Sequence, residues 1–347
     1  MKVVHIIFNI QLGGAETMLV DIISNQLKLG YDVSLIVINS GYNKSLLAKI
    51  DAKIKIVYIM RPESSKNPWY IFKLNYKLAK LSPDVVHVHN DKIMAMVLKR
   101  KRTKYVITIH DTRINLKYFK RVDEVCSISK AVKDDIYNRY GIHASLVYNG
   151  IEIEKVLVNN RKLDCNEFKI LQIGRLVHQK KGQDILIRAV SLLSTRLSCK
   201  LKIDFIGEGP SLQYLQQMVA SFNLTGCVNF RGAQNRQYIY EHIKDYDLLV
   251  QPSIYEGFGL TVVEGMAAKI PVLVTKNEGP LEIIDGGKYG EYFDINDVEG
   301  CASKLLSIMQ SYSTYKHIAD VDAYKFICEN FDIANTVKGY DKLYKKT

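Results

Sequence analysis

Along the first half of the chain, short unbroken apolar runs alternate with longer segments whose apolar residues return every third or fourth position. VVHIIFN is such a run and leads to a turn at Gly13-Gly14. AETMLVDIISNQLKLG follows, with Ala15, Met18, Leu19, Ile22, Ile23 and Leu27 near helical spacing and Gly30 as a C-terminal stop. VSLIVIN reads as the next strand, and WYIFKLNYKLAKL as a helix ended by Ser82-Pro83. DVVHVH, YVITIH and EVCSIS are strand-like, and KAVKDDIYNRYG is helical. Strands alternating with helices predict a mostly parallel sheet covered on both faces.

The stretch from Ser145 to Lys169 is polar and irregular and reads as a linker. The alternation then restarts with KILQIGRL, QDILIRAVSLLS, LKIDFIGEG, PSLQYLQQMVASFN, VNFRG, YIYEHIKDY, DLLVQPS, LTVVEGMAAK and PVLVT. An α/β protein of two doubly wound domains is predicted, the first over 1–160 and the second over 165–330. In such sheets ligands bind beyond the carboxyl ends of the strands, so two domains that face each other make a cleft.

Length and composition fit this plan. The 347 residues suffice for two cores, and 47% apolar with 24% charged content is ordinary for a globular protein. Cys126, Cys165, Cys199, Cys227, Cys301 and Cys328 form no C-x-x-C, which predicts reduced thiols in a cytoplasmic protein. No apolar run reaches the roughly 20 residues of a spanning helix. His5 and Asn9 interrupt the N-terminal run, which fits a buried strand better than a signal peptide. Charge is uneven: residues 1–160 hold 25 Lys+Arg against 14 Asp+Glu, residues 161–347 hold 23 against 22. The excess is densest at Lys99–Lys104 and Lys117–Arg121. A basic face suits phosphates, nucleic acid or an anionic membrane, or is simply solvated.

The residues that follow strands carry the candidate chemistry. Gly13-Gly14 and Gly207-Glu208-Gly209-Pro210 free backbone amides at helix starts, as a phosphate requires. Neither completes a dinucleotide fingerprint, and no acid ends the following strands, which close on Asn39-Ser40 and Arg231-Gly232. This argues against a nicotinamide dehydrogenase. Arg175 follows a strand, with Lys181 six residues on; two cations around one strand end suit a diphosphate. His87, His89 and His110 raise the question of zinc, but Asp111 and Asn90 complete no ligand set, so no metal is expected. A histidine at a strand end reads better as a hydrogen-bonding or acid/base group. Asp245-Tyr246-Asp247 runs from a helix end into a strand start and reads as structural. In YEGFGLTVVEGMA, Glu256 falls in a loop and Glu264 one turn into a helix, with Gly257 and Gly259 exposing amides between them. A carboxylate there can accept two hydrogen bonds from a vicinal diol, or can merely complement the helix dipole.

Taken together, G-G-A-E at Gly13–Glu16, G-R-L-x5-K-G at Gly174–Gly182, G-E-G-P at Gly207–Pro210 and P-S-x-Y-E-G-F-G-L-x3-E at Pro252–Glu264 resemble the family-four retaining glycosyltransferases of GT-B fold. H-V-H, T-I-H-D and Y-N-G-I-E fall in matching order, so the resemblance spans nearly the whole chain. It implies transfer of a sugar from a nucleotide diphosphate sugar with retention and without a metal or other cofactor. Arg175 and Lys181 would hold the diphosphate and offset leaving-group charge. Gly14, with Gly13, would approach the phosphates from the other domain. Glu264 would bind the ribose. Glu256, with the amides of Phe258, Gly259 and Leu260, would hold sugar hydroxyls, and His110 would contact the sugar near the reacting centre. The implied donor set also takes in Gly207, Glu208, Gly209, Arg231 and Gly257. No enzymic nucleophile stands out, in line with a front-face mechanism. The C-terminal segment 331–347 would cross back to the first domain. Asn277-Glu278-Gly279-Pro280 departs from the Gly-Gly common in the family.

The resemblance thus implies a cytoplasmic, peripheral membrane enzyme of surface polysaccharide, lipopolysaccharide or capsule synthesis. It would use a UDP-sugar and a glycan or lipid-linked acceptor, without nucleic acid, and bind anionic membrane through its basic first domain. A nucleotide-sugar epimerase on the same plan, or a non-catalytic binder of nucleotide sugars, remains open at this point. Donor isomerisation without an acceptor would favour the former.

Overall fold

The computed structural model describes residues 1–347 except 12, 162, 164–166, 194–199 and 347. The chain divides into two compact units, one of residues 1–151 with 333–347, the other of residues 152–332.

The first unit holds a seven-stranded sheet of β1 (Lys2–Ile7), β2 (Asp32–Asn39), β3 (Lys55–Arg61), β4 (Val85–Val88), β5 (Lys104–Ile109), β6 (Glu124–Ser127) and β7 (Ser145–Leu146). Their order is β3-β2-β1-β4-β5-β6-β7, all pairs parallel. Parallel strands with both faces covered need apolar runs rather than alternation, and β1, β2, β4 and β5 are buried almost throughout. The sequence reading omitted β3 and β7. β3 carries the apolar run Ile56–Met60 but is an edge strand buried only at Ile59, and β7 is two residues long, too short for a run. The stretch read as a linker is also partly core: it begins with β7, and Val147, Ile151, Ile153 and Val156 are buried.

Helix Ile333–Lys345 closes this unit against helix Gly14–Lys28. Ile333, Thr336, Val337, Tyr340, Leu343 and Tyr344 form its buried stripe at i, i+3, i+4 and i+7 spacing. A β-carbon on Gly339 would stand 2.9 Å from a Val147 methyl, so glycine permits this close approach. Lys104 Nζ donates to the carbonyls of Leu343, at 2.6 Å, and Lys346, meeting otherwise open acceptors at the helix end.

The second unit holds β8 (Glu167–Ile173), β9 (Lys200–Ile206), β10 (Val228–Phe230), β11 (Leu248–Gln251), β12 (Val272–Thr275) and β13 (Glu291–Phe293). They are parallel in the order β10-β9-β8-β11-β12-β13. Phe168, Ile170, Leu186, Phe205, Leu248, Val250, Leu273 and Leu305 lie in one core. KILQIGRL was expected to be strand throughout; β8 stops at Ile173, because Gly174 takes φ +157 and turns the chain out of the sheet. Both sheets reverse strand order, between β1 and β4 and between β8 and β11, and such switch points open the crevice where ligands bind.

Cys126 and Cys301 are buried, Cys227 and Cys328 half-buried, and all four are free. Burial pushes their thiols up, Cys126 to about 12. Cys165, which also begins the second predicted domain, and Cys199 lie outside the described residues.

Candidate active site

In the second unit, glycines let the strand-end loops touch. Gly174 N–H donates to Ile206 O and Gly207 N–H to Gly232 O, both at 2.9 Å. A β-carbon on Gly207 would fall 2.0 Å from Gly174 O, and one on Gly209 2.3 Å from Leu176 O. These contacts set Arg175 and Glu208 on adjoining loops, both exposed. Arg175 makes no ion pair with a described residue. Glu208 Oε1 accepts from Ala233 N–H at 3.4 Å.

Lys181 ends the short helix His178–Lys181, and Gly182 follows at φ +62 with its α-carbon against the loop after β11. A β-carbon there would meet Pro252 O at 1.9 Å. Ile254 N–H donates to Lys180 O at 2.9 Å, which fastens the two loops together. The ammonium of Lys181, a cation that suits a phosphate, donates here to Glu256 Oε2, with the two side chains 19% and 15% exposed. The same oxygen accepts from Gln251 Nε2 at 3.0 Å and, more weakly, from Ser253 Oγ at 3.5 Å. Gln251 Oε1 in turn accepts the Thr261 hydroxyl.

Glu256 lies in the loop and Glu264 in the second turn of helix Leu260–Ala267. Gly259 is the N-cap at φ +112 and gives no side-chain cap, so the amides of the first turn, at Leu260 and Thr261, point outward without one. Gly257 and Phe258 are buried, Phe258 edge-on to Phe331. Glu264 is 6% exposed, with Arg236 Nε 3.8 Å from Oε1. Gly279, within the tetrapeptide that departs from Gly-Gly, supports this loop: a β-carbon on it would lie 2.7 Å from both Glu256 O and Phe258 O.

Arg231 precedes Gly232 of this strand-end group, and its side chain pairs with an acid of β9. Its Nε donates to Asp204 Oδ2 at 2.9 Å, which raises its pKa, and Tyr246 OH donates to the same oxygen at 2.7 Å. These side chains line a polar depression of about 380 Å³ with Lys169 and Asn229. Asp247 Oδ2 accepts from Lys169 N–H at 2.8 Å, and Asp245 pairs with His242 at 3.0 Å.

In the first unit Gly13 caps helix Gly14–Lys28 in extended conformation. The Glu16 carboxylate folds back over it, since a β-carbon on Gly13 would meet Glu16 Oε2 at 2.5 Å. Burial raises the pKa of Glu16. The Glu16 carboxylate, bonded to its own backbone amide, therefore lies beside the glycines expected to cradle a phosphate. His110 follows β5, and its Nε2 lies 3.1 Å from His89 Nδ1. Burial lowers His110 to about 4, against a smaller opposing pull from Asp111. Among the described residues, ring nitrogens of His5, His87 and His89 come within 4.8 Å of one another, yet each already has hydrogen-bond partners: His5 with Gln26 and His89, His87 with Tyr344 and Thr108, and His89 with His110.

Gln251, Thr261, Arg236 and Gln26 were not singled out in the sequence. Gln251 had one signal, a polar residue closing the apolar run DLLVQ at a switch-point strand. Arg236 and Gln26 sit on ordinary amphipathic helices and had none.

The chain matches the family model of the glycosyltransferase family 4 over residues 12–155 and that of the glycosyl transferases group 1 over residues 156–321. An uncharacterised glycosyltransferase of Methanocaldococcus jannaschii is 28% identical over 331 residues, covering 83% of this chain and 84% of its own. The lipopolysaccharide core biosynthesis glycosyltransferase LpsE of Rhizobium meliloti is 25% identical over 328 residues, 92% of each chain. The crystal structure of Anabaena HepE in complex with UDP-glucose superposes with a TM-score of 0.82 at 20% identity over the full length of both chains. With two parallel sheets, each reversing its strand order, and two family models that follow one another along the sequence, the chain belongs to the group 1 glycosyltransferases of GT-B fold.

Proposed function

We propose that this glycosyltransferase moves a hexose from a UDP-sugar to a glycan or lipid-linked acceptor, with retention at the anomeric carbon and without a metal. The observation that carries the reading is the Lys181–Glu256 pair at the β8/β11 switch point, beside the open amides of Leu260 and Thr261. On donor arrival the ammonium passes from Glu256 to the diphosphate, where Arg175 adds a second cation. Glu256, released but still held by Gln251, accepts from hydroxyls of the sugar. Glu264, braced by Arg236, accepts from the ribose diol. His110 contacts the sugar. The bond from the anomeric carbon to the phosphate oxygen breaks, the acceptor oxygen bonds to the same face, and its proton goes to the leaving phosphate. Preorganised cations at that phosphate supply the main stabilisation. The UDP-glucose complex of HepE and the name of LpsE support the donor and the glycan class.

The reading includes peripheral binding to anionic membrane, and helix Trp69–Leu81 supports it better than the basic run does. Trp69, Phe72 and Tyr76 are 58%, 60% and 47% exposed and stack in series along it. Leu98 is 64% exposed on a loop whose backbone N–H donates to Asn75 of that helix. Arg100, Lys101 and Arg102 adjoin it, all exposed. By contrast, Lys99 pairs with Asp123, Lys104 caps the C-terminal helix, and Arg121 donates to Met94 and Val97 carbonyls. Amphipathic faces of aromatics beside cations lie in membrane interfaces.

A thermal-shift screen of UDP, GDP and ADP, followed by UDP-sugars with lipid-linked glycan acceptors, tests the donor. Stabilisation by UDP and α-product from an α-donor are expected; an inverted product, or a requirement for added divalent metal, overturns the reading.

A further inference from the structure

Three histidines of the first unit form a row that ends at His110. His5 Nε2 lies 2.8 Å from Gln26 Oε1, His5 Nδ1 3.0 Å from His89 Nε2, and His89 Nδ1 3.1 Å from His110 Nε2. A neutral imidazole has one N–H and one lone pair. Burial lowers His5 and His110 to about 4, and His87 and His89 well below their ordinary value, so all four rings are neutral near neutral pH. Each contact then holds a single hydrogen, and the direction of the row is set at its far end.

Gln26 sets that direction. Tyr344 OH lies 2.6 Å from His87 Nδ1, and Thr108 Oγ1 lies 2.7 Å from His87 Nε2. The phenol is the stronger donor and makes the shorter contact, so Tyr344 donates to Nδ1 while Nε2–H donates to Thr108. The Tyr344 oxygen is left to accept from Gln26 Nε2, 3.2 Å away. The amide oxygen of Gln26 therefore faces His5 and can only accept. The His5 hydrogen is on Nε2, its Nδ1 accepts from His89 Nε2–H, and His89 Nδ1 accepts from His110 Nε2–H. The end of the row is His110 Nδ1, a buried lone pair with no hydrogen-bond partner among the described residues.

We propose that Gln26, His5 and His89 are positioning residues that hold His110 in its Nε2–H tautomer, so that Nδ1 presents a lone pair to a hydroxyl of the donor sugar. This rests on His110 as a donor contact. It adds a selection by substrate class: the sugar must carry a hydrogen-bond donor at that point, and a group that only accepts, such as a carboxylate, is refused. Within the row an added proton would set two N–H groups against each other, so only the open end, His110 Nδ1, can take one, and there burial opposes the charge.

The experiment is the nitrogen NMR spectrum of the histidine side chains in the full chain at neutral pH, with His110 assigned through its loss in His110→Gln. Expected is a bare Nδ1 and a protonated Nε2 on His110, His89 and His5. Gln26→Met keeps the volume and removes both amide contacts. It turns the His110 signals into a tautomer average and weakens UDP-glucose binding about tenfold, with turnover number little changed. A protonated Nδ1 or a cationic ring on His110 in the unaltered protein overturns the proposal. So does an unchanged single tautomer in Gln26→Met, or a stoichiometric metal on His5 and His89. The expected spectrum in a protein that binds no UDP-glucose upholds the tautomer and refutes the donor reading instead.

Discussion

Replacing Lys181 by methionine keeps the length of the side chain and removes its charge. In the ligand-free protein this strands Glu256, whose carboxylate keeps Gln251 at 3.0 Å and a marginal Ser253 at 3.5 Å. Breaking a fully buried pair costs about 3–5 kcal/mol. Here the partners are 19% and 15% exposed and one good hydrogen bond survives, so about 2 kcal/mol is expected. For a unit of this size that lowers the melting temperature by roughly 4–8 °C. Glu256→Gln should cost less, because its amide oxygen can still accept from the Lys181 ammonium, and the double variant should recover part of the loss. A coupling of about 1–2 kcal/mol in the cycle is then expected. Turnover tells more: with the ammonium gone, the leaving phosphate loses a preorganised cation, and transfer from UDP-glucose should fall about 10²–10³-fold. Calorimetry of the four proteins and a UDP-release assay measure both quantities. Additive stabilities would show that the pair is not coupled, and transfer within threefold of the parent would refute the role of Lys181.

Glu264→Ala should lower donor affinity by at least about tenfold, read by titration with UDP alone, while circular dichroism stays unchanged. Gly279→Ala should cost about 1–3 kcal/mol and raise the donor KM, because its β-carbon meets backbone of Glu256 and Phe258 that cannot swing aside. The row of histidines makes the first unit acid-sensitive. Their folded pKa values are depressed, so the unfolded chain binds more protons. Stability is full above about 6.5 and falls as pH drops towards 4, on the order of 3 kcal/mol each for His5 and His110, as urea unfolding against pH should show. Trp69→Ser with Phe72→Ser should weaken binding to anionic vesicles at least about tenfold, whereas neutralising Lys104 should mainly destabilise the C-terminal helix, as sedimentation with vesicles and thermal unfolding distinguish.

Much of the fold was legible because a doubly wound sheet writes its central strands as apolar runs. Helix Trp69–Leu81 begins and ends where its spacing and the Ser82-Pro83 stop indicated. β3 was missed although Ile56–Met60 is an apolar run, whereas β7 had no local signal and draws its stability from pairing with Cys126 and Ser127. At the site, glycines and acids after strands could be read as a group. Their partners could not, since Lys181 meets Glu256 across 75 positions and His5 meets His89 across 84. Sequence spacing carries chemistry within a turn or a loop, whereas such pairs exist only once the sheet has ordered its strands.

The bond from Ile333 N–H to Ile151 O, 2.9 Å long, has a consequence for how the protein is made. It joins the points at which the chain leaves the first unit and returns, so the second unit is an insertion within the first. Residues 152–332 can fold as soon as they leave the ribosome. The first unit must wait, its sheet assembled but its floor open, until the last helix is delivered. Tyr344 then closes over His87 and Gln26 and orients their hydrogens. Synthesis halted a few residues early would yield a protein with a complete second unit and an unsettled proton pattern in the first.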